Sequence, residues 1–322
     1  MANITVIGAG EAGIHFIKEI RSLGDDSKIV LIDKRDLYFE RRNVFNCWMP
    51  KGECRIIHFN DEFCLEHSLE YIKAVVERIN PSTKKIFFKE HPSIDFDTLI
   101  VASGAVSNDL SIRGDFREGF FYLSDIDPLN TRDYLNISKD IIVYASTILG
   151  VRMALFLSSL GKDVKLIAGD LDFLGGYKQR FMDLFKDRQI DTYLNCRIEE
   201  AIGEGSVKAV RITLPKVFSS QIVFVDSGFT ANRIFSDSGI NIRDNLYTDY
   251  DGIYVLGEAA NSSIDKDKFF INNAETARRQ ARSLAYHISR RRPDGENRLN
   301  TASFSREEFL EQIIEKEISR SA

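Results

Sequence analysis

Nowhere does the chain run 18 apolar residues together, so no membrane-spanning helix is expected. The opening strand is too short, and too uncharged at its start, to read as a signal peptide. Cysteine is scarce: four in 322 residues, in no regular framework, which argues against a secreted disulphide scaffold. Cys47, Cys54 and Cys64 also lack the paired C-x-x-C spacing of zinc and iron–sulfur sites. The five histidines (His15, His58, His67, His91 and His287) are scattered, none pairing with another at ligand spacing, so no metal site is expected. Basic clustering is confined to Arg290-Arg291-Arg292 beside Pro293, which reads as a solvated helix end in a chain of net charge -5, and no nucleic-acid partner is expected. With these classes set aside, 43% hydrophobic content over this length describes a globular protein with room for two domains, expected in the cytoplasm.

What the chain does have begins at residue 4. Ile4-Thr5-Val6-Ile7 is a short apolar strand that runs into Gly8-Ala9-Gly10-Glu11-Ala12-Gly13, and Ile14, Phe16, Ile17 and Ile20 then fall at helical spacing. A second strand, Lys28-Ile29-Val30-Leu31-Ile32, ends on Asp33, about 20 residues beyond the last glycine, where a carboxylate can accept hydrogen bonds from a ribose. Gly8 permits the tight turn, Gly10 lets backbone N–H groups approach a pyrophosphate, and Gly13 allows close packing of the helix. The helix N-terminus adds partial positive charge. Together these features predict dinucleotide binding by residues 4 to 33.

A second unit of the same kind lies mid-chain, stripped of most of its glycines. Asp140-Ile141-Ile142-Val143-Tyr144 is a strand, Val151, Ala154, Leu155, Leu157 and Leu160 form a helical stripe, and Val164-Lys165-Leu166-Ile167 is the next strand. Between them stands Ala145-Ser146-Thr147-Ile148-Leu149-Gly150, in which only the third glycine survives. Thr147 occupies the position nearest a pyrophosphate, and its branched side chain is expected to stand in that space. Ala168 takes the place of the ribose acid. Ordinary NAD(P)H binding at this unit is therefore not expected.

With both units placed, further segments fall in a known order, and residues 3 to 290 resemble the FAD-dependent pyridine nucleotide-disulphide oxidoreductases. Thr98-Leu99-Ile100-Val101-Ala102-Ser103-Gly104-Ala105 is similar to the strand-to-turn motif that closes that family's first FAD segment, usually written Ala-Thr-Gly, with Ser103 keeping the hydroxyl. Val76-Glu77-Arg78-Ile79-Asn80-Pro81 resembles the β-hairpin whose valine backbone meets the adenine. Asp251-Gly252-Ile253-Tyr254-Val255-Leu256-Gly257-Glu258-Ala259-Ala260 resembles the second FAD fingerprint, where most members carry Asp in place of Glu258. The resemblance implies an α/β protein of two three-layer, Rossmann-like domains. An FAD domain at 1–112 and 236–290 would be split by a second domain at 113–235 that holds NAD(P)H in the family, with 291–322 forming a linker and an amphipathic helix. It further implies FAD contacts from Gly8, Gly10, Glu11, Ala12, Gly13, Asp33 and its neighbour Lys34, Val76, Ala102, Ser103, Gly104, Gly257 and Glu258. Asn272 and Asn273, opening a helix, would face the flavin pyrimidine edge.

Asn46-Cys47-Trp48-Met49-Pro50 is similar to the single-cysteine motif of the coenzyme A disulphide reductase and NADH oxidase branch. Cys47 follows Asp33 by fourteen residues where that branch has about ten, so a redox thiol and a packed one both stand as readings. Arg41 and Arg42 would lower a nearby thiol pKa, lie beside the flavin or cover the FAD pyrophosphate. Only about thirty residues follow the last FAD helix, whereas members with the cysteine motif carry a C-terminal dimerisation domain. Instead Ser305-Arg306-Glu307-Glu308 caps a helix bearing Phe309, Leu310, Ile313, Ile314 and Ile318 on one face, which would pack on its own domain or dock on a partner subunit.

Taken together, these features predict an FAD-dependent oxidoreductase that exchanges electrons with a protein partner, of ferredoxin or rubredoxin type, or with a small molecule. The alternatives are a divergent NAD(P)H-dependent flavin reductase or oxidase, and a scaffold or regulatory subunit with structural FAD.

Overall fold

The computed structural model describes residues 3–39, 44–49, 51–243, 246–260, 273–289 and 306–319. Two five-stranded parallel sheets dominate it. The first runs, edge to edge, Ile253–Val255, Thr98–Val101, Asn3–Ile7, Lys28–Asp33, Leu69–Lys73. Its central strands are apolar on both faces, as a covered parallel sheet requires. Ile4, Val6, Ile29, Leu31 and Ile100 face one layer, while Ile7, Val30, Ile32, Leu99 and Val101 face the other. The first layer is built by helix Glu11–Ser22 and helix Asn273–Ile288, through Ile14, Phe16, Ile17 and Ile20 against Ala277, Ala281, Leu284 and Ala285. Opposite lies the predicted hairpin, in which Val76–Asn80 pairs antiparallel with Lys85–Phe88.

The second sheet runs Phe120–Tyr122, Ile222–Asp226, Asp140–Ala145, Asp163–Ala168, Asp191–Tyr193. The same alternation divides it: Ile141, Val143, Leu166 and Phe224 face the helices, and Ile142, Tyr144, Ile167, Val223 and Val225 face a three-stranded antiparallel sheet spanning Ile198 to Ser219. The α/β class and the two Rossmann-like, three-layer units are as the sequence predicts. Two stretches joining the sheets, Ala105–Ser107 and Phe229–Ala231, run antiparallel to each other as a short ribbon.

Two segments pack where the sequence did not place them. Helix Val44–Trp48, next to the first nucleotide fold in the chain, sits on the helical face of the second sheet. Phe45 stacks on Phe156 at 4.7 Å between ring centroids, and Trp48 lies 5.6 Å from Phe224. The Trp48 indole Nε1 donates to the Pro128 carbonyl at 3.0 Å. The C-terminal helix, Arg306–Ser319, buries Leu310, Ile313 and Ile314 in the same cluster, and Arg180 donates to both Glu311 carboxylate oxygens at 2.9 and 2.8 Å. Leu310, Ile313 and Ile314 thus pack on their own chain, the first of the two readings above. Among the described residues no helix is long and apolar enough to cross a membrane.

Candidate functional site

The site forms at the carboxyl ends of the first sheet, where such folds hold ligands. Gly8 takes φ +102°, and a Cβ there would lie 2.2 Å from the Ala102 carbonyl oxygen, so only glycine fits this turn. Gly10 differs in kind. Its backbone is extended (φ -83°, ψ -167°) and a Cβ would meet nothing within 4 Å among the described residues. Among the described residues the space in front of Gly10 is thus open, and no side chain caps the helix that starts at Glu11. Gly13 packs so closely that a Cβ would fall 2.0 Å from the Gly8 carbonyl oxygen.

Asp33, Ala102 and Gly257 lie against this loop, and other predicted pieces do not. Asp33 accepts from Ala9 N at 2.7 Å and from Arg35 N at 2.9 Å, which fixes its carboxylate at the end of its strand. Gly104 and Glu258 are neighbours: a Cβ on Gly104 would lie 3.7 Å from the Glu258 carboxylate. A Cβ on Gly257 would meet Ala12 at 3.0 Å, and the Gly257 N–H is held by Gln280. Val76 starts the hairpin on the other face of the sheet. Lys34 points elsewhere and pairs with Asp125 at 2.9 Å. Arg41, Arg42 and Asn272 lie outside the described residues, as does the side chain of Asn273, the first residue of its helix. Two buried polar atoms, Ser103 Oγ and Arg35 Nε, make no hydrogen bond within the described chain. An open glycine, an uncapped helix N-terminus and a lone hydroxyl next to Gly8 fit the pyrophosphate and polar edge of a bound FAD.

Glu11 has a role that its place in the motif did not reveal. Its carboxylate accepts from Tyr38, from Arg278 Nε at 2.5 Å and from His15 Nε2 at 3.2 Å. Burial by itself would raise the Glu11 pKa. The hydrogen bonds from His15 and Tyr38 and the charge of Arg278 outweigh it and hold the group at about 2 against an ordinary 4.5. The ionised form is therefore bound more tightly in the folded than in the unfolded chain. Its contribution, at most about 3 kcal/mol, is complete above the ordinary carboxylate pKa and is lost as the pH falls toward about 2. Glu11→Gln should show a shallower loss of melting temperature than wild type between pH 4.5 and 2. Parallel pH–melting curves for the two proteins would refute this coupling.

Cys47 is not a free thiol. It is disulphide-bonded to Cys54, and its side chain is buried among Phe39, Val44 and Trp48 in the core of the second sheet. The pairing is made by a turn after the helix: Gly52 N donates to the Met49 carbonyl, and a Cβ on Gly52 would fall 1.9 Å from the Asn46 carbonyl oxygen. The expectation of a lone cysteine, redox or packed, is corrected accordingly. Cys64 and Cys196 are free, the latter buried. Among the described residues no cluster of His, Cys, Asp and Glu is placed to hold a metal.

The second unit presents the opposite arrangement. Thr147 caps helix Ile148–Ser159, its hydroxyl accepting from Leu149 N at 3.2 Å. Its side chain is fully buried and turned inward, so it does not project into the space in front of the loop as expected. It donates instead to Asp226, the last residue of strand Ile222–Asp226. One oxygen of Asp226 accepts from Thr147 N (2.8 Å), Thr147 Oγ1 (2.8 Å) and Gly150 N (2.9 Å), and the other from Gly228 N (3.2 Å). Burial pushes the Asp226 pKa up, and these donors oppose the shift. Ala168 is fully buried at the end of its strand.

A family model described as pyridine nucleotide-disulphide oxidoreductase matches residues 2–281. Human apoptosis-inducing factor 3 is 24% identical over 274 residues, covering 80% of this chain and 45% of its own length. A ferredoxin–NAD(P)(+) reductase of a Sphingomonas species is 24% identical over 283 residues, covering 80% of this chain and 67% of its own. Among solved structures, the covalent putidaredoxin reductase–putidaredoxin complex aligns with a TM-score of 0.76 at 16% identity, over 92% of this chain and 77% of the matched one. The chain spans less than half the length of the apoptosis-inducing factor it matches.

Proposed function

The chain belongs to the pyridine nucleotide-disulphide oxidoreductase family, and from that premise we propose that it is an FAD-dependent oxidoreductase passing electrons between its flavin and a redox protein of ferredoxin or rubredoxin type, or a small-molecule partner. Its electrons do not arrive from NAD(P)H bound in the ordinary way at the second unit. The observation that carries this reading is the contrast between the two loops. One helix N-terminus stands open before Gly10, and the other is closed by Asp226.

When bound, FAD supplies hydride and single-electron transfer. The chain's own residues bind and orient it. N–H groups at Gly10 to Gly13 receive the pyrophosphate, Asp33 the ribose, the Val76 backbone the adenine, and Ser103 with Glu258 the chain leading to the flavin. The N-terminus of helix Asn273–Ile288 would favour negative charge on the flavin's pyrimidine edge. A flavin-facing thiol is not part of the proposal, because Cys47 is committed to Cys54.

Two relatives support the protein partner by their names, the ferredoxin reductase and the reductase solved with putidaredoxin. The first name also includes NAD(P), which favours the second reading, a nicotinamide-dependent reductase. An anaerobic titration separates the two. The purified protein should be yellow with about one FAD per chain. Reduced ferredoxin should bleach the flavin, while NADH and NADPH should do so slowly and without saturation below the millimolar range. Rapid, saturable bleaching by micromolar NADH would establish the second reading, and a colourless, folded protein that takes up no FAD would sink both.

A further inference from the structure

The mid-chain loop has lost two of its three glycines, yet its backbone donors are not idle. The Thr147 and Gly150 N–H groups converge on one carboxylate oxygen, and the donor set is completed by the Thr147 hydroxyl. Asp226 is 1% exposed and reaches them because its strand lies beside Asp140–Ala145, with Asp226 in register with Ala145. A helix N-terminus with such N–H groups is an anion-binding element, and in a dinucleotide-binding unit the anion is a pyrophosphate. We propose that the Asp226 carboxyl group takes the place of that anion from within the chain, and that it, rather than the missing glycines, decides that the second unit refuses a dinucleotide.

Two observations fit together under this assignment, and one consequence follows. Thr147 is turned inward, so the side chain that replaces the approach glycine does not obstruct the front of the loop. Gly150 survives although the motif around it has gone, because a Cβ there would lie 2.9 Å from the Asp226 carboxylate and 2.7 Å from the Ala145 Cβ. The tight packing it serves is around the Asp226 side chain. A pyrophosphate brought to the same donors would find them already taken by a carboxyl group that cannot withdraw into solvent, and one set of N–H groups would have to serve both.

The inference deepens the proposed function and rests on its statement about nicotinamide. The test uses the FAD-loaded protein and ADP-ribose, which carries the pyrophosphate and adenosine of NAD but no redox centre, with binding read by calorimetry. Wild type should bind weakly, Asp226→Gly at least about tenfold more tightly, and Thr147→Gly, which restores the approach glycine but keeps Asp226, within about twofold of wild type. Flavin content and melting of each variant report its folding. Folded Asp226→Gly that binds no more tightly than wild type would overturn the inference alone. A gain in Thr147→Gly comparable to the tenfold would also overturn it, whether or not the Asp226 variant folds. Micromolar binding by wild type would overturn the inference and the nicotinamide statement together.

Discussion

Gly10→Val should fold normally and hold no FAD. The extended backbone at Gly10 is one that any residue adopts, and a Cβ there meets no atom of the described residues within 4 Å. The added side chain therefore costs the fold little and projects into the space required by the pyrophosphate. A loss of FAD affinity of at least about 100-fold, near 3 kcal/mol, is expected, read as a protein purified without colour whose melting matches that of stripped wild type. Gly13→Ala serves as the contrast. Its Cβ would fall 2.0 Å from the Gly8 carbonyl oxygen, so this smaller substitution should damage the loop itself, lowering the melting temperature of the FAD-free protein. Full flavin occupancy in Gly10→Val would remove this loop from the cofactor site.

Phe156→Ala should be the most destabilising single substitution outside that site. Phe156 is 4% exposed on the helical face of the second sheet and touches both Phe45 and Trp48, so truncation empties a pocket shared by segments more than a hundred residues apart. A buried Phe→Ala change costs about 3–5 kcal/mol, a large share of the roughly 5–15 kcal/mol by which proteins of ordinary stability hold together. Thermal melting should fall by roughly 10 °C. Phe116→Ala, at a residue 84% exposed, provides the control and should change little. Equal melting temperatures for the two variants would refute the junction described here.

Most of the first nucleotide fold could be read from the chain because its determinants are local: alternating apolar residues, glycines at fixed spacing and an acid at the end of the next strand. The FAD segments around Ser103 and Glu258 were legible by resemblance, in order, although no local pattern brings them together; parallel pairing with neighbouring strands does. Asp226 was not legible. It stands 79 residues from Thr147, and its meaning depends on which strand lies next to Asp140–Ala145, a fact of sheet order. Thr147 could have been read as a helix cap from its place before an apolar helix, and the Glu11 cluster needed the contact between the first helix and Arg278. The Cys47–Cys54 pairing depends on a glycine turn too tight for any other residue, a local signal with no characteristic spacing.

The placement of helix Val44–Trp48 also gives the molecule a built-in optical reporter. Trp48 is the only tryptophan among 322 residues, and its indole is enclosed by Phe45, Phe156 and Phe224 with its N–H bound to a carbonyl. Tryptophan emission therefore comes from one place, the seam between a segment from the N-terminal part of the chain and the second sheet. Water reaching that seam should shift the emission to longer wavelength, while the flavin band follows the first sheet separately. The opening of either half of the protein can thus be timed against the other in unlabelled material.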